Sequence, residues 1–466
     1  MKNDRIRRAG MLALSLVGVL AVSWLLPPVV QRLRRQCPVR PDGVGQAEAL
    51  PSFARKYKIS CSQCHSGFPV LNAYGRQFKM NGFVREPGGS EGVLKSQDSE
   101  LSTETMVPWA LIVRSRPVDD GKGSVASQGG QMGSTNPNQN GFQFQPLNDV
   151  DAFIAGGDAA RYISYLGEVD AGQSGGFAPG MGDIRLGYHP LPYLNVIAAR
   201  RNFFADDPYQ TIVSNESPTI AGRATDLLMQ GQGSISGNTM LTMQQAFIVN
   251  GQVDLRGDAF LYYALGATKD SDHGLQATSP TNGNLRLAVD SGKGLMVGVF
   301  GAYGGERAAS QGPGAIGGGL GVDNGTGEVQ NFSRGGVDAL WEIGGFAARG
   351  ALVYSRDTDR VLSVSDTNRA AYVELAYFYK RGHAYPFLTP LIRENWYTTY
   401  NGTQQFNYFT AQLAHYFAPN LKGLVEYSFD TKSGDQGGNA GDPSLGGTLA
   451  QVQRGNRTTL QFEVGF

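Results

Sequence analysis

With 40 acidic and 40 basic side chains in 466 residues, this chain has no net charge to attract a polyanion, and no Lys/Arg block follows its N-terminal leader. A nucleic-acid partner, which would require a basic stripe, is therefore excluded. The 64 glycines, 20 tyrosines and 23 phenylalanines point away from an ordinary soluble enzyme.

The leader reads as an export signal. Lys2, Arg5, Arg7 and Arg8 form a positive n-region, an apolar run follows over 9–26, and Ala47-Glu48-Ala49 offers a small-x-small cleavage site. Residues 1–49 are thus read as a signal peptide. The apolar run is long and is followed by Arg32, Arg34 and Arg35, a pattern that also suits an uncleaved membrane anchor. Cleavage is the preferred reading, because an anchor would hold any later membrane-spanning strands at the wrong membrane. No other stretch approaches the roughly eighteen continuous apolar residues of a membrane helix. A further crossing would have to use strands.

Residues 50–100 form a distinct segment. Positions 50–85 are dense in Lys, Arg and aromatics, a helix is expected over 70–80, and Pro87, Gly88, Gly89 and Gly92 then break regular structure. Of the three cysteines, Cys37 lies beside the leader, leaving Cys61 and Cys64 to the mature chain. Cys61-Ser62-Gln63-Cys64-His65 is C-x-x-C-H, the attachment pattern of a c-type haem. Each thiol can form a thioether with a former vinyl group of the porphyrin, and the adjacent imidazole of His65 then ligates the iron. The competing readings lack their contexts: a disulfide oxidoreductase embeds C-x-x-C in a βαβ unit, and a zinc ribbon needs a second C-x-x-C.

For the sixth iron ligand the nearest candidate is Met80, which equally suits helix packing, and Met106 lies at the start of the next region. His189, His383 and His415 fall at strand ends, where a girdle or turn role is expected, with His415 on the apolar side of its strand. Arg55, Lys56, Arg76 and Lys79 surround the motif in sequence. They suit haem propionates and suit solvated surface charge equally well.

From residue 101 to 466 the pattern changes to segments of roughly ten residues alternating apolar and polar, separated by Gly/Asn/Asp/Ser stretches. In the last segment Leu460, Phe462, Val464 and Phe466 face one way and Thr459, Gln461 and Glu463 the other. Val373, Leu375, Tyr377 and Tyr379 oppose Tyr372, Glu374 and Lys380. Phe346, Ala348, Leu352 and Tyr354 oppose Arg349 and Ser355. Strands are expected near 104–115, 143–155, 160–170, 182–189, 194–203, 240–250, 257–267 and 284–291. Eight more fall near 294–303, 332–342, 346–355, 370–380, 385–397, 405–417, 422–431 and 456–466. That makes about sixteen, an even number as single-chain bacterial barrels require. Short connections at 190–193, 292–293, 344–345, 381–384 and 418–421 alternate with long ones at 116–142, 204–239, 304–331 and 432–455. A propeller would show a repeat, and none is present. A sandwich would bury Leu, Ile and Val rather than present Tyr and Phe opposite Glu, Arg, Gln and Thr. The expected fold is all-β: a transmembrane antiparallel β-barrel with a small N-terminal helical haem segment plugging its lumen.

The stretch Leu50-Pro51-Ser52-Phe53-Ala54-Arg55-Lys56-Tyr57, then Cys61 to His65, then Phe68-Pro69 and Leu71-Asn72-Ala73-Tyr74-Gly75-Arg76, with Phe78-Lys79 and Asn81-Gly82-Phe83, resembles a known family. It is similar to the fused outer-membrane monohaem cytochrome–porins of bacteria that oxidise ferrous iron. The close match spans about 35 residues and the remainder agrees in architecture. The resemblance implies Cys61, Cys64 and His65 as the haem-holding residues, ferrous iron as donor and a periplasmic c-type cytochrome or other soluble carrier as acceptor. The family pattern does not require a methionine at position 80, and the long Arg-flanked leader departs from it.

Two functions are therefore expected to compete. One is an electron conduit across the outer membrane, an iron(II)-oxidising cytochrome in effect, with the reverse direction of flow as its variant. The other is a diffusion porin with a haem sensor or redox gate. A third, an adhesin whose loop residues Asp206, Asp207, Asp270, Asp272 and His273 bind metal, carries less weight, because acidic loops are usually solvated. No hydrolytic, nucleophilic or phosphate-loop constellation is present.

Overall fold

The structure is a computed structural model and describes residues 51–57, 59–83, 109–121, 141–159, 162–172, 179–212, 218–229, 244–270, 281–307, 329–359, 364–399, 404–432 and 457–466. The leader, Met106, Asp272 and His273 lie outside these residues. Among them, sixteen strands close into one antiparallel barrel. The first half comprises β1 (Trp109–Gly121), β2 (Gly141–Ala159), β3 (Ile163–Gly172), β4 (Pro179–Leu191), β5 (Leu194–Arg200), β6 (Gln244–Asp254), β7 (Phe260–Asp270) and β8 (Thr281–Asp290). The second comprises β9 (Leu295–Arg307), β10 (Val329–Ile343), β11 (Phe346–Asp359), β12 (Val364–Tyr377), β13 (Leu388–Thr399), β14 (Gln404–Ala418), β15 (Leu421–Lys432) and β16 (Arg457–Gly465). Each expected segment corresponds to one strand. β16 pairs with β1 to close the sheet, so no edge is left with unpaired backbone groups.

Alternation sorts the side chains. On β8, Leu285 and Val289 point outward, 37% and 47% exposed, while Arg286 between them is 1% exposed. Val373 and Tyr377 face outward and Tyr372 and Glu374 inward, as the sequence pattern requires. An outward surface of Leu, Val, Ile, Trp and Tyr on a closed sheet is a lipid-facing surface, and the charged residues fill the inside. No helix among the described residues is long and apolar enough to cross a membrane; this chain crosses with strands.

The short connections gather at one rim. The β10–β11 link is Gly344-Gly345, both at positive φ, and its register runs without slippage from Ile343 opposite Phe346. The two ends of the sheet meet at the same rim, where Phe466 donates to the Leu111 carbonyl at 2.8 Å. Short turns and chain ends mark the periplasmic side of an outer-membrane barrel, and the long connections the outside.

Three short helices precede the barrel: α1 (Pro51–Tyr57), α2 (Cys61–Cys64) and α3 (Ala73–Met80). The helix expected over 70–80 begins only at Ala73. Asn72 caps it by accepting from the Gly75 N–H at 2.9 Å, and Val70–Leu71 instead pair with His65–Gly67 as a small hairpin. A fourth helix, α4 (Ala224–Met229), lies inside the barrel against β11, β12 and β13.

Candidate haem-attachment site

Building upward from the motif, Ser60 caps α2 by accepting from the Ser62 N–H at 3.3 Å, which places both cysteines on one short turn. Cys61 and Cys64 are buried and no disulfide joins them. Cys64 packs with Phe53 and Phe78 from the segment and Ala155 from β2, with Tyr57, Tyr74, Phe83 and Leu166 around them. Phe53 stacks on Phe83 at 5.1 Å and meets Phe78 edge-on at 5.4 Å. Burial pushes the Cys64 thiol up to about 12. A disulfide oxidoreductase needs the opposite shift, toward thiolate.

His65 follows at once. Its Nδ1 lies 3.2 Å from the Pro69 carbonyl, and since a carbonyl only accepts, Nδ1 carries the proton and Nε2 keeps its lone pair. Two buried thiols spaced by two residues, a neighbouring imidazole with its tautomer set and an aromatic surround are a donor set that fits a covalently attached c-type haem. Cys61, Cys64 and His65 are the residues that would hold it.

The remaining candidates are placed as follows. Met80 is buried, but in a separate cluster with Ile197, Phe203 and Phe204. Arg76 is buried and committed to Glu342 on β10 at 2.8 Å and to the Leu71 carbonyl at 3.0 Å, so it is neither surface charge nor open to an anion. Arg55 donates to the Trp109 carbonyl and lies 5.2 Å over that indole ring. Lys56 lies over Tyr57, and Lys79 is buried near Asp206 and Asp207.

His415 is flanked edge-on by Phe387 and Phe417 at 4.6 and 4.5 Å, on the outward face as expected. His383 stacks on Tyr385 within a turn. His189 corrects the girdle expectation: it is a luminal residue, 1% exposed. Asn195 donates to the Met80 and Asn250 carbonyls, so its Oδ1 accepts from His189 Nδ1 at 2.8 Å, and Nε2 accepts from Ser164 Oγ at 2.7 Å. Gly82 rests against this ring, where an added Cβ would stand 2.1 Å from Nε2.

The attachment segment docks in the periplasmic mouth. Tyr416 Oη and Lys422 Nζ donate to the Phe68 carbonyl at 3.0 and 3.1 Å, and Gln77 donates to Gln252 at 2.9 Å. All three barrel residues lie near short turns.

Above this plug lies a second layer inside the barrel. In the β5–β6 connection, one of the long links expected at 204–239, the described residues 201–212 and 219–225 are buried inside the barrel. Asp206 and Asp207 are accordingly not solvated. Asp206 meets Arg185 at 3.2 Å and Arg201 at 3.0 Å, and Asp207 meets Arg286 at 2.9 Å. Burial works against the Asp206 carboxylate, but Arg201 and Arg185 outweigh it and hold the carboxyl below its usual range. Asp207 goes the other way, since burial and nearby Asp338 outweigh Arg286 and raise it. Among the described residues no group of three or more His, Cys, Asp or Glu side chains is set to hold a metal ion.

The inner loop is tied to the wall by charge. Glu426 accepts from the Ile220 and Ala221 N–H groups at 2.7 and 2.6 Å, and Arg393 donates to the Ala221 and Gly222 carbonyls at 2.6 and 2.8 Å. One sequence signal distinguishes this connection. It carries Phe203, Phe204, Tyr209, Ile212, Ile220 and Leu228, where the other long loops carry Gly, Ser and Asn.

No family model matches the chain, and no curated protein does. Among solved structures, the in-vitro folded, trimeric form of OmpT, an outer membrane protein of Vibrio cholerae, is similar with a TM-score of 0.50 at 12% identity, covering 77% of this chain and 98% of that one. The anion-selective porin from Comamonas acidovorans is similar at 0.49 and 10% identity, covering 77% and 98%. The outer membrane channel DcaP of Acinetobacter baumannii is similar at 0.44 and 10% identity, covering 77% and 96%. At such identities the likeness is one of fold: this chain folds as a bacterial outer-membrane barrel.

Proposed function

We propose that the protein is an outer-membrane electron conduit. An extracellular donor, ferrous iron by the resemblance over 50–83, gives up one electron and leaves as ferric iron. A soluble periplasmic carrier, such as a c-type cytochrome, takes the electron up. A bound haem would supply the one-electron ferric/ferrous couple; Cys61 and Cys64 would tether it, and His65 would ligate its iron.

The observation that carries this reading is the pairing of C-x-x-C-H with a buried inner loop inside the same barrel. The motif lies in the periplasmic mouth, and above it Tyr209, Thr211, Ile212, Arg223 and Ala224 of the inner loop are all within 2% of full burial. Such packing gives a redox group a low-dielectric seat inside a lipid barrier whose apolar band is about 25 Å tall.

Adding ferrous iron to the oxidised, reconstituted protein is expected to produce the reduced haem spectrum, with negligible planar-bilayer conductance. A protein that binds no haem, or whose haem ignores ferrous iron, ends this reading. The rival reading, a porin gated by a haem sensor, is favoured by strand number, since sixteen strands make a cylinder wide enough for an aqueous channel. Open, solute-selective conductance that changes with haem oxidation state would select it. Faster haem oxidation by external acceptors than reduction by ferrous iron would reverse the direction of flow.

A further inference from the structure

The hairpin that carries His65 is held from outside the plug at three backbone groups. Tyr416 and Lys422 take the Phe68 carbonyl. The other two groups meet one side chain: the Leu71 N–H donates to Gln210 Oε1 at 2.8 Å, and Gln210 Nε2 donates to the Pro69 carbonyl at 3.2 Å. That carbonyl is also the one that accepts from His65 Nδ1, likewise at 3.2 Å. Gln210 belongs to the inner loop of the barrel, and it shares an acceptor with the iron-binding histidine.

The backbone at Gln210 is unusual. It is a buried, non-glycine residue at φ 58°, in the left-handed region. Such a conformation is strained for a residue with a Cβ and persists only where the surroundings over-determine it. Here Arg223 Nη1 donates to the Gln210 carbonyl at 2.8 Å, and the adjacent Tyr209 ring lies 5.8 Å beneath the Arg76 guanidinium of the plug. Both sides of the residue are fixed, so the amide is aimed rather than adventitious.

We infer that Gln210 is a positioning residue that sets the donor strength of His65 through the shared Pro69 carbonyl; this rests on the haem reading above. A metal-bound histidine becomes a stronger donor as the partner on its other nitrogen accepts more strongly. While Gln210 draws on the Pro69 carbonyl, His65 Nδ1 is bound less tightly, and the ferrous form is favoured. Without that N–H the His65–Pro69 bond strengthens and the ferric form gains. The inner loop of the barrel thereby tunes a redox centre carried by the plug.

The test is a spectroelectrochemical titration of the full chain, matured with haem and reconstituted. Gln210→Glu keeps an acceptor for Leu71 and loses the donor to Pro69; Gln210→Leu loses both. In each, the ratio of reduced to oxidised haem at a fixed applied potential is expected to fall severalfold, up to about tenfold, or about 59 mV for a one-electron couple. The added charge in Gln210→Glu acts in the same direction. Gln252→Leu, which removes a bond to Gln77 on the same plug and leaves the hairpin untouched, is expected to keep the parental potential. Haem-loaded Gln210 variants at the parental potential overturn the inference. So does an equal shift in Gln252→Leu, which would make plug docking the cause. A parent with no haem absorption overturns the haem reading and this inference with it, and the spectrum tells that failure from the other two.

Discussion

Replacing Glu374 with glutamine removes the one negative charge held between three buried guanidiniums. Its carboxylate lies 3.3 Å from Arg349, 3.4 Å from Arg393 and 3.9 Å from Arg223, and these side chains are 0–2% exposed. At an effective dielectric of about 20 each pair attracts by about 4–5 kcal/mol, and release of a carboxylate from a dry site returns several kcal/mol. The net loss is expected to be about 3–5 kcal/mol, the usual cost of removing one partner from a buried ion pair. Arg349 and Arg393 belong to the wall, where the closed ladder holds them, whereas Arg223 belongs to the inner loop. The repulsion left behind should therefore move the loop before it opens the barrel. The expected result for Glu374→Gln is a barrel that still resists unfolding in detergent, together with higher ion conductance in planar bilayers than the parent shows. Unchanged conductance and an unchanged urea midpoint would refute the claim that this cluster locks the inner loop.

Three further outcomes follow from the same geometry. Gly82→Ala places a methyl against the His189 ring at a position with φ 72°, so the plug should dock less tightly by about 1–2 kcal/mol or more and become sensitive to added protease, with the barrel intact. Leu352→Arg, at an outward position 53% exposed, should destabilise the membrane-inserted barrel by about 2–4 kcal/mol in refolding titrations, and a neutral result would show that this face does not meet lipid. Asp206 is held below its usual range, so its contribution is complete above the ordinary carboxylate value of about 3.9 and is lost as pH falls through the lower folded value. Asp207, being raised, contributes in the opposite sense, favouring the folded state at low pH and losing that advantage as pH rises. Inner-loop amide protection should thus fall in strong acid in the parent. Asp206→Asn should lack that step and be weakened at neutral pH, because Arg185 and Arg201 lose their shared partner.

The wall of this protein and its N-terminal plug were legible in its residues, and the inner loop packed beside the plug was not. Period-two alternation forces successive side chains to opposite faces of a strand, so Leu460 against Gln461 or Val373 against Glu374 declares a two-faced sheet without reference to any distant residue. An even strand number and alternating loop lengths then follow from closure. The C-x-x-C-H motif is equally local, since Cys61, Cys64 and His65 adjoin in the chain.

Where distant residues meet is set by the closed fold. The burial of 201–212 and 219–225, the luminal seat of His189, the commitment of Arg76 to Glu342 and the reach of Gln210 to a hairpin some hundred and forty residues earlier all depend on which charges a closed cylinder brings face to face. A carboxylate such as Asp206 looks the same in sequence whether water or Arg185 neutralises it. Burial inside the barrel removes the water, and only the folded chain supplies the arginine.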